Sequence, residues 1–243
     1  MKLSCTTEYL RRTSLIDHDH SDITSAVSRI TAGADNDVMS AVRLHDFVRD
    51  EILFGWAPQF DSQSASQVLR CGIGFCNTKT TLLTALLRAA GIPARIHCVS
   101  INRRILSGLI RPPSQYVDHS YVEVALHHRW IGIDSYIVDR PLHRAAVAEC
   151  NARHLLVGFG VHVRGSTHWD GQSNSFSQFL VDDSVPDMSD RDFGSFNDID
   201  AFRATGLGRN PRYWPARLGI RVLTHVANHR VTALRAQSPS RLR

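Results

Sequence analysis

Lysine is almost absent from this chain of 243 residues, where it occurs only at positions 2 and 79. Nearly all the positive charge therefore comes from arginine, and the arginines that produce the net charge of +5 are spread along the chain. Such a spread is typical of a solvated surface, whereas nucleic-acid binding usually requires a basic patch or stripe. We expect no nucleic-acid partner.

Long apolar runs and paired cysteines are also missing. No stretch approaches the roughly 18 apolar residues of a transmembrane helix, and the first residues continue into polar sequence without the pattern of a signal peptide. The cysteines are an odd number without paired spacing, which favours reduced thiols over a disulfide framework. They stand at 5, 71, 76, 98 and 150. These absences predict a cytoplasmic protein without a membrane span.

The spacing of the acidic, histidine and cysteine residues does not match a metal site. Cys71 and Cys76 are not at a usual zinc spacing. The aspartates between 182 and 200 lack the glycine and glutamate positions of a calcium loop. We expect no metal and no other cofactor, and we interpret this acidic segment as a solvated loop.

A cysteine does stand at the predicted start of a helix. Glycines at 72 and 74 precede Cys76, and leucines at 82, 83, 86 and 87 follow at helical spacing. Gly91 and Pro93 end this helix. In the first turn, unpaired N–H groups and the helix dipole favour a thiolate over a thiol. The alternative is that Cys76 is simply a small buried apolar residue.

Two strands downstream carry a histidine and an acid. Residues 118–126 alternate and are rich in β-branched and aromatic side chains, and residues 130–134 predict a second, antiparallel strand after a short connection. His119 begins the first strand and Asp134 ends the second, so the hairpin is expected to bring them side by side. With Cys76, they are the parts of an activated thiol nucleophile.

Three blocks of this sequence resemble the transglutaminase-like superfamily, whose fold is related to papain. The blocks are residues 74–95, 119–124 and 130–134, and the resemblance covers roughly residues 35–145. It implies that Cys76 is the nucleophile, that His119 is the general base and then acid, and that Asp134 orients the imidazole.

The sequence departs from the family pattern at two positions. Thr80 stands where a small residue is usual, and Ser135 stands where a proline often follows the acid. Neither departure changes the triad, so they bear on the substrate class more than on catalysis.

The expected fold is α+β, with the helix of Cys76 packed on an antiparallel sheet that bears His119 and Asp134. We expect a single domain over residues 1–243, with a core at about 35–145 and a C-terminal elaboration at about 150–243. An amphipathic helix from Pro215 to Ala236 is expected to dock on the domain. The alternatives for this helix are a homo-oligomer contact or a membrane-surface helix.

A second donor for an oxyanion is expected near the aromatic loop that precedes the nucleophile. The backbone N–H of Cys76 can supply one donor, and Gln59, Gln67 or the indole of Trp56 a second. Sequence alone does not choose among the three, because loop packing or a helix surface also accounts for each.

Four further residues are candidates for the substrate cleft. Lys79 is expected to face solvent, from where it can assist an anionic substrate, and Tyr136 is expected to continue the strand or border the cleft. Arg103 and Arg104 begin a long connection; they are either ordinary surface arginines or ligands for a substrate carboxylate.

The predicted chemistry is amide hydrolysis or transamidation through a thioester, on a small-molecule or peptide substrate. Two alternatives stay open. The same triad can hydrolyse thioesters or activated carbon–carbon bonds, or the fold can serve as a catalytically silent binding or scaffold module.

Overall fold

The computed structural model of the protein describes residues 6–57, 59–181, 183–208 and 214–237, and in residues 214–223 it describes the backbone alone. The helices in this part of the chain are α1 (Ser21–Ile30), α2 (Asp37–Glu51), α3 (Ala65–Cys71), α4 (Cys76–Ala89), α5 (Arg140–Ala152), α6 (Ile199–Ala204) and α7 (Trp214–Ala236). The strands are β1 (Leu53–Phe54), β2 (Ile73–Gly74), β3 (Ala94–Asn102), β4 (Tyr116–Leu126), β5 (Arg129–Ile133), β6 (Val157–Gly158), β7 (Val161–His162) and β8 (Asp192–Phe196).

The α+β prediction is confirmed by a four-stranded sheet whose neighbours are all antiparallel, in the order β5-β4-β3-β8. Strands β4 and β5 form the expected hairpin. His127 and His128 at its tip have φ values of 51° and 58°, the left-handed backbone that a tight two-residue turn requires. The hairpin therefore fixes which residues of the two strands face each other.

Helix α4 lies against β4, with α1, α2 and α3 packed around its other sides. Every residue from Asn77 to Arg88 is buried as a result. The helix begins and ends where the sequence predicts, at Cys76 and just before Gly91, whose φ is +78°. The leucine stripe indicated one apolar face, but the fold covers the whole helix.

Helix α7 docks on the rest of the chain next to α5, as expected. Ala227, Val231 and Leu234 are buried on its inner face. Among the described residues, no helix is both long and apolar enough to cross a bilayer.

The acidic segment is only partly a solvated loop, because residues 192–196 form strand β8 on the edge of the sheet beside β3. Side chains explain this pairing. The imidazole of His97 on β3 lies 2.7 Å from Asp192 Oδ1, and Ser195 Oγ donates to Glu123 Oε2 at 2.7 Å. Asp192 thus helps to hold β8 against β3, whereas the sequence predicted that this aspartate lies in a solvated loop.

Candidate active site

Cys76 is the first residue of α4, at the junction of the short strand β2 and the helix. Gly72 adopts a left-handed backbone, with φ of +66°, to end α3. A Cβ at Gly74 would lie 2.8 Å from Thr78 Oγ1 and 2.9 Å from Lys79 Cγ. Only glycine therefore lets β2 pass this close to the first turn of α4. The Cys76 side chain is half-buried, with its sulfur 3.6 Å from Asn77 Oδ1.

The hairpin brings His119 and Asp134 together, as the sequence indicated. His119 Nε2 lies 3.2 Å from Asp134 Oδ2, and both side chains are almost completely buried. Burial alone lowers the pKa of His119, but hydrogen bonds with Asp134 and with Cys76, together with the charges of both, raise it to about 9. The imidazole thus lies between the thiol and the carboxylate, and Nδ1 is the ring nitrogen left for the thiol.

The carboxylate of Asp134 is held by a segment that the sequence did not connect with the site. Backbone N–H groups of three consecutive residues donate to it: Ser177, Gln178 (3.1 Å to Oδ1) and Phe179 (2.7 Å to Oδ2). The hydroxyl of Ser177 adds a fourth donor, 3.3 Å from Oδ1. Asp134 is fully buried, so these donors and His119 replace the water that the carboxylate loses.

Comparison with known proteins gives one match to a family. Residues 24–135 match the sequence model of the Transglutaminase-like superfamily, and this stretch contains Cys76, His119 and Asp134. This part of the chain, a little under half of its length, is similar to the transglutaminase-like superfamily. No curated protein sequence matches the chain.

One similar solved structure is a crystal structure from Cytophaga hutchinsonii that was provisionally assigned as a cysteine protease. It is 18% identical, with a TM-score of 0.43, and the match covers 52% of this chain and 40% of that one. This chain therefore spans less than half of that protein, and a likeness at this level carries no argument about activity.

The two departures from the transglutaminase-like pattern form hydrogen-bonded pairs in the interior. The hydroxyl of Thr80 lies 2.6 Å from that of Tyr136 and donates to the carbonyl of Ser120 at 3.2 Å. Ser135 Oγ lies 2.8 Å from the Nε2 of His45, a histidine without solvent exposure. Each departure therefore has a partner that fixes the core behind the triad.

The expectation that Lys79 faces solvent is wrong. Its side chain is fully buried, because α4 is covered on all sides, and its Nζ donates to the carbonyl of Ile52 at 2.6 Å, where α2 ends. Burial lowers the pKa of Lys79 to about 7, against the opposing effect of the Asp139 charge. A lysine in this position supports the end of α2 and does not reach an anionic substrate.

Tyr136 does not border an open cleft. It has no solvent exposure, and its hydroxyl is bound to Thr80. Burial raises its pKa well above the usual value. Tyr136 is therefore a core residue that packs behind the triad.

The three candidates for an oxyanion donor lie in different environments. Gln59 is exposed on a turn. Gln67 caps helix α3, where its Oε1 accepts the N–H of Ser64 at 2.9 Å. Trp56 is buried, and its indole stacks on the ring of Phe75, the residue before the nucleophile, at 6.2 Å between centroids. Of the three side chains, the structure brings that of Trp56 next to the nucleophile turn.

Arg103 and Arg104 both bind groups of the protein itself. Arg103 donates to the carbonyls of Pro112 and Pro113 at 3.0 and 2.9 Å, which holds its own connection in place. Arg104 pairs with the carboxylate of Asp187. Neither guanidinium is free to bind a substrate carboxylate in this arrangement.

Helix α7 closes the site from the side of the aromatic loop. The carboxamide of Asn228 accepts the N–H of Trp56 at 2.9 Å and donates to the carbonyl of the same residue at 2.8 Å. Arg235 forms hydrogen bonds to both carboxylate oxygens of Asp139 at 2.9 and 2.7 Å and donates to the carbonyl of Phe54. The position of Trp56 therefore depends on a helix far away in the sequence.

The site brings together a thiol, an imidazole and a carboxylate. In the described ranges, no group of three or more histidine, cysteine, aspartate or glutamate side chains is placed to hold an ion. The half-buried thiol, a buried imidazole and a buried carboxylate follow one another in space. Such an order is typical of a thiol nucleophile that has a neighbouring base.

Proposed function

We propose that this protein is a cysteine-dependent acyl-transfer enzyme. The observation that carries the proposal is the arrangement of three side chains: His119 Nε2 lies 3.2 Å from Asp134 Oδ2, and the same imidazole hydrogen-bonds Cys76 at the start of α4. An imidazole held between a thiol and a carboxylate can take the proton of the thiol, which leaves the thiolate, the nucleophilic form of cysteine.

The reaction proceeds in two steps. Cys76 Sγ attacks the carbonyl carbon of an amide, the bond from carbon to nitrogen breaks, and His119 gives its proton to the departing amine. Water or an amine then attacks the thioester, His119 accepts a proton from it, and the thiolate leaves. Asp134 keeps the imidazole oriented throughout.

Charge that develops on the carbonyl oxygen needs donors in the same place. The N–H of Cys76 at the start of α4 is one candidate, since the first N–H groups of a helix have no partner within it. We assign the second position to the indole N–H of Trp56, because its ring stacks on Phe75 next to the nucleophile.

The substrate class within this proposal is a small-molecule or peptide amide. Thioesters and activated carbon–carbon bonds next to a carbonyl are alternative substrates for the same triad. A catalytically silent binding module is the competing function.

The proposal can be tested without a known substrate, because the protein contains its own control thiols. Cys71 is exposed, while Cys98 and Cys150 are buried and burial raises the pKa of both. Iodoacetamide labelling at several pH values, mapped by peptide mass spectrometry, is expected to modify half-buried Cys76 faster than exposed Cys71 at pH 6 to 7. His119→Ala should slow the labelling of Cys76 and leave that of Cys71 unchanged.

Labelling of Cys76 that is slower than that of Cys71, and is unaffected by His119→Ala, would contradict the proposal and favour the binding module. If the thiol is activated, hydrolysis of matched amides and thioesters, with and without an added amine, then separates the substrate classes.

A further inference from the structure

Phe60 has a backbone conformation that bulky residues rarely adopt. Its φ is +53°, in the left-handed region where a side chain of this size is an outlier. The neighbouring residue explains how this conformation is held. Arg203 donates to the carbonyl of Asp61 at 2.7 Å and forms an ion pair with its carboxylate at 2.6 Å.

The conformation places the ring of Phe60 over the turn that carries the nucleophile. Its ring stacks on that of Phe75 at 4.8 Å between centroids, with 29° between the planes. Phe75 is almost fully covered, whereas Phe60 is half-buried. A partly exposed apolar surface thus lies on the residue that precedes Cys76.

A second half-buried ring lies beside His119. The ring of Phe179 is 6.1 Å from that of His119 and stacks on Tyr121 at 5.7 Å. Its backbone N–H donates to Asp134 at 2.7 Å. The carboxylate of Asp134 therefore holds the backbone of the residue that carries this ring. One phenylalanine thus packs on the residue before Cys76, and the other lies beside His119.

The three cations considered as ligands for an anionic substrate already bind groups of the protein. The lysine and the two arginines considered as ligands for an anionic substrate bind the carbonyls of Ile52, Pro112 and Pro113 and the carboxylate of Asp187. The half-buried rings of Phe60 and Phe179 offer apolar contacts instead, and an aromatic ring can bury a substantial area.

We propose that Phe60 and Phe179 form an apolar subsite for the acyl group, so that the substrate carries an aromatic or similarly bulky apolar acyl side chain. This proposal rests on the acyl-transfer function given above and adds its substrate class. The left-handed backbone of Phe60 is strained for a bulky residue, and this conformation places an apolar ring on the residue next to the nucleophile.

The test compares three esters that share one leaving group: 4-nitrophenyl acetate, 4-nitrophenyl phenylacetate and 4-nitrophenyl succinate. The release of nitrophenolate at pH 7 gives the second-order rate constant for acylation of Cys76, corrected with Cys76→Ala. The phenylacetyl ester is expected to react at least about tenfold faster than the acetyl ester, because burial of an apolar group of this size favours binding by that order. The succinyl ester is expected to show no such preference.

Two variants at Phe60 separate the subsite from general damage. Phe60→Ala should reduce the ratio of phenylacetyl to acetyl rates severalfold, and Phe60→Leu should reduce it less because leucine stays apolar. Phe193→Ala is the matched control, since this half-buried ring on β8 contacts Phe202 at 5.1 Å instead of the triad. It should leave the ratio unchanged.

The outcomes distinguish the two proposals. If no ester acylates Cys76 faster than it acylates free cysteine, the acyl-transfer function fails. If acylation is rapid but the phenylacetyl ester has no advantage, the succinyl ester is preferred, or Phe60→Ala and Phe193→Ala change the ratio equally, the apolar subsite alone is overturned.

Discussion

His119 Nε2 lies 3.2 Å from Asp134 Oδ2, and that carboxylate is held in turn by the backbone of residues 177–179. The match to the transglutaminase-like superfamily ends at residue 135. The acid of the triad is therefore fixed by a part of the chain outside the stretch that matches the family. We infer that residues 24–135 alone do not make a complete site.

The first prediction concerns the titration of His119. Its folded pKa of about 9 lies above the usual 6.5, so its contribution to stability is fully present below pH 6.5 and is lost as the pH rises through 9. NMR of the imidazole should show this raised pKa, and Cys76→Ala should lower it because the interactions of His119 with the Cys76 side chain are removed. Cys150→Ala, which changes a buried cysteine that hydrogen-bonds the carbonyl of Gly158, should have no effect. A titration near 6.5 that is the same in all three proteins would contradict the raised pKa of His119 and its dependence on Cys76.

The second prediction concerns Asp134→Asn. A carboxamide has one oxygen to accept the donors that two carboxylate oxygens accept now, so at least one buried N–H loses its partner. The free energy of unfolding in urea at pH 7 should fall by about 1–3 kcal/mol, and the labelling of Cys76 should slow.

A matched control for that substitution is Asp170→Asn. Asp170 is exposed, and a single oxygen, Oδ1, accepts the N–H groups of Gln172 and Ser173. An asparagine oxygen can accept both hydrogen bonds, so the free energy of unfolding of Asp170→Asn should differ little from that of wild type. Equal losses of stability in the two variants would show that the hydrogen bonds of residues 177–179 to Asp134 add no particular stability.

The third prediction concerns the buried ammonium of Lys79. Its folded pKa of about 7 is below the usual 10.5, so between these pH values the unfolded chain binds a proton that the folded chain does not. Stability gained from this group therefore rises with pH in that window. The free energy of unfolding of Lys79→Met, measured relative to that of wild type, should therefore fall by roughly 1.4 kcal/mol for each pH unit between 7 and 10.

Leu83→Met is the control for the Lys79 experiment, because it changes a buried residue of the same helix that does not titrate. Urea unfolding at pH 7, 8, 9 and 10 should give a constant offset for this control. A constant offset for Lys79→Met as well would mean that the lysine keeps its usual pKa in the folded protein.

Signals carried by local sequence predicted the central features of the fold. Glycines and a proline bound helix α4, and alternating strands around a short turn produce the hairpin that joins His119 to Asp134. These features depend on residues close together in the sequence, where turn chemistry and periodicity act directly.

The features that escaped prediction depend on distant parts of the chain. Lys79 is buried because three other helices surround α4, which a single amphipathic pattern does not indicate. The donors to Asp134 are backbone N–H groups, which every residue except proline has, so the sequence of residues 177–179 carries no mark of them. Strand β8 is held beside β3 by contacts between residues far apart in the sequence, such as that of His97 on β3 with Asp192 on β8.

The two hydrogen bonds between Asn228 and the backbone of Trp56 have a consequence for folding during synthesis. Synthesis delivers Cys76, His119 and Asp134 well before the cradle at 177–179, and Asn228 and Arg235 emerge later still. A nascent chain therefore carries its nucleophile before it can orient the acid or seat the aromatic loop. The proposed site can therefore assemble only after residues 177–179, Asn228 and Arg235 have been synthesised.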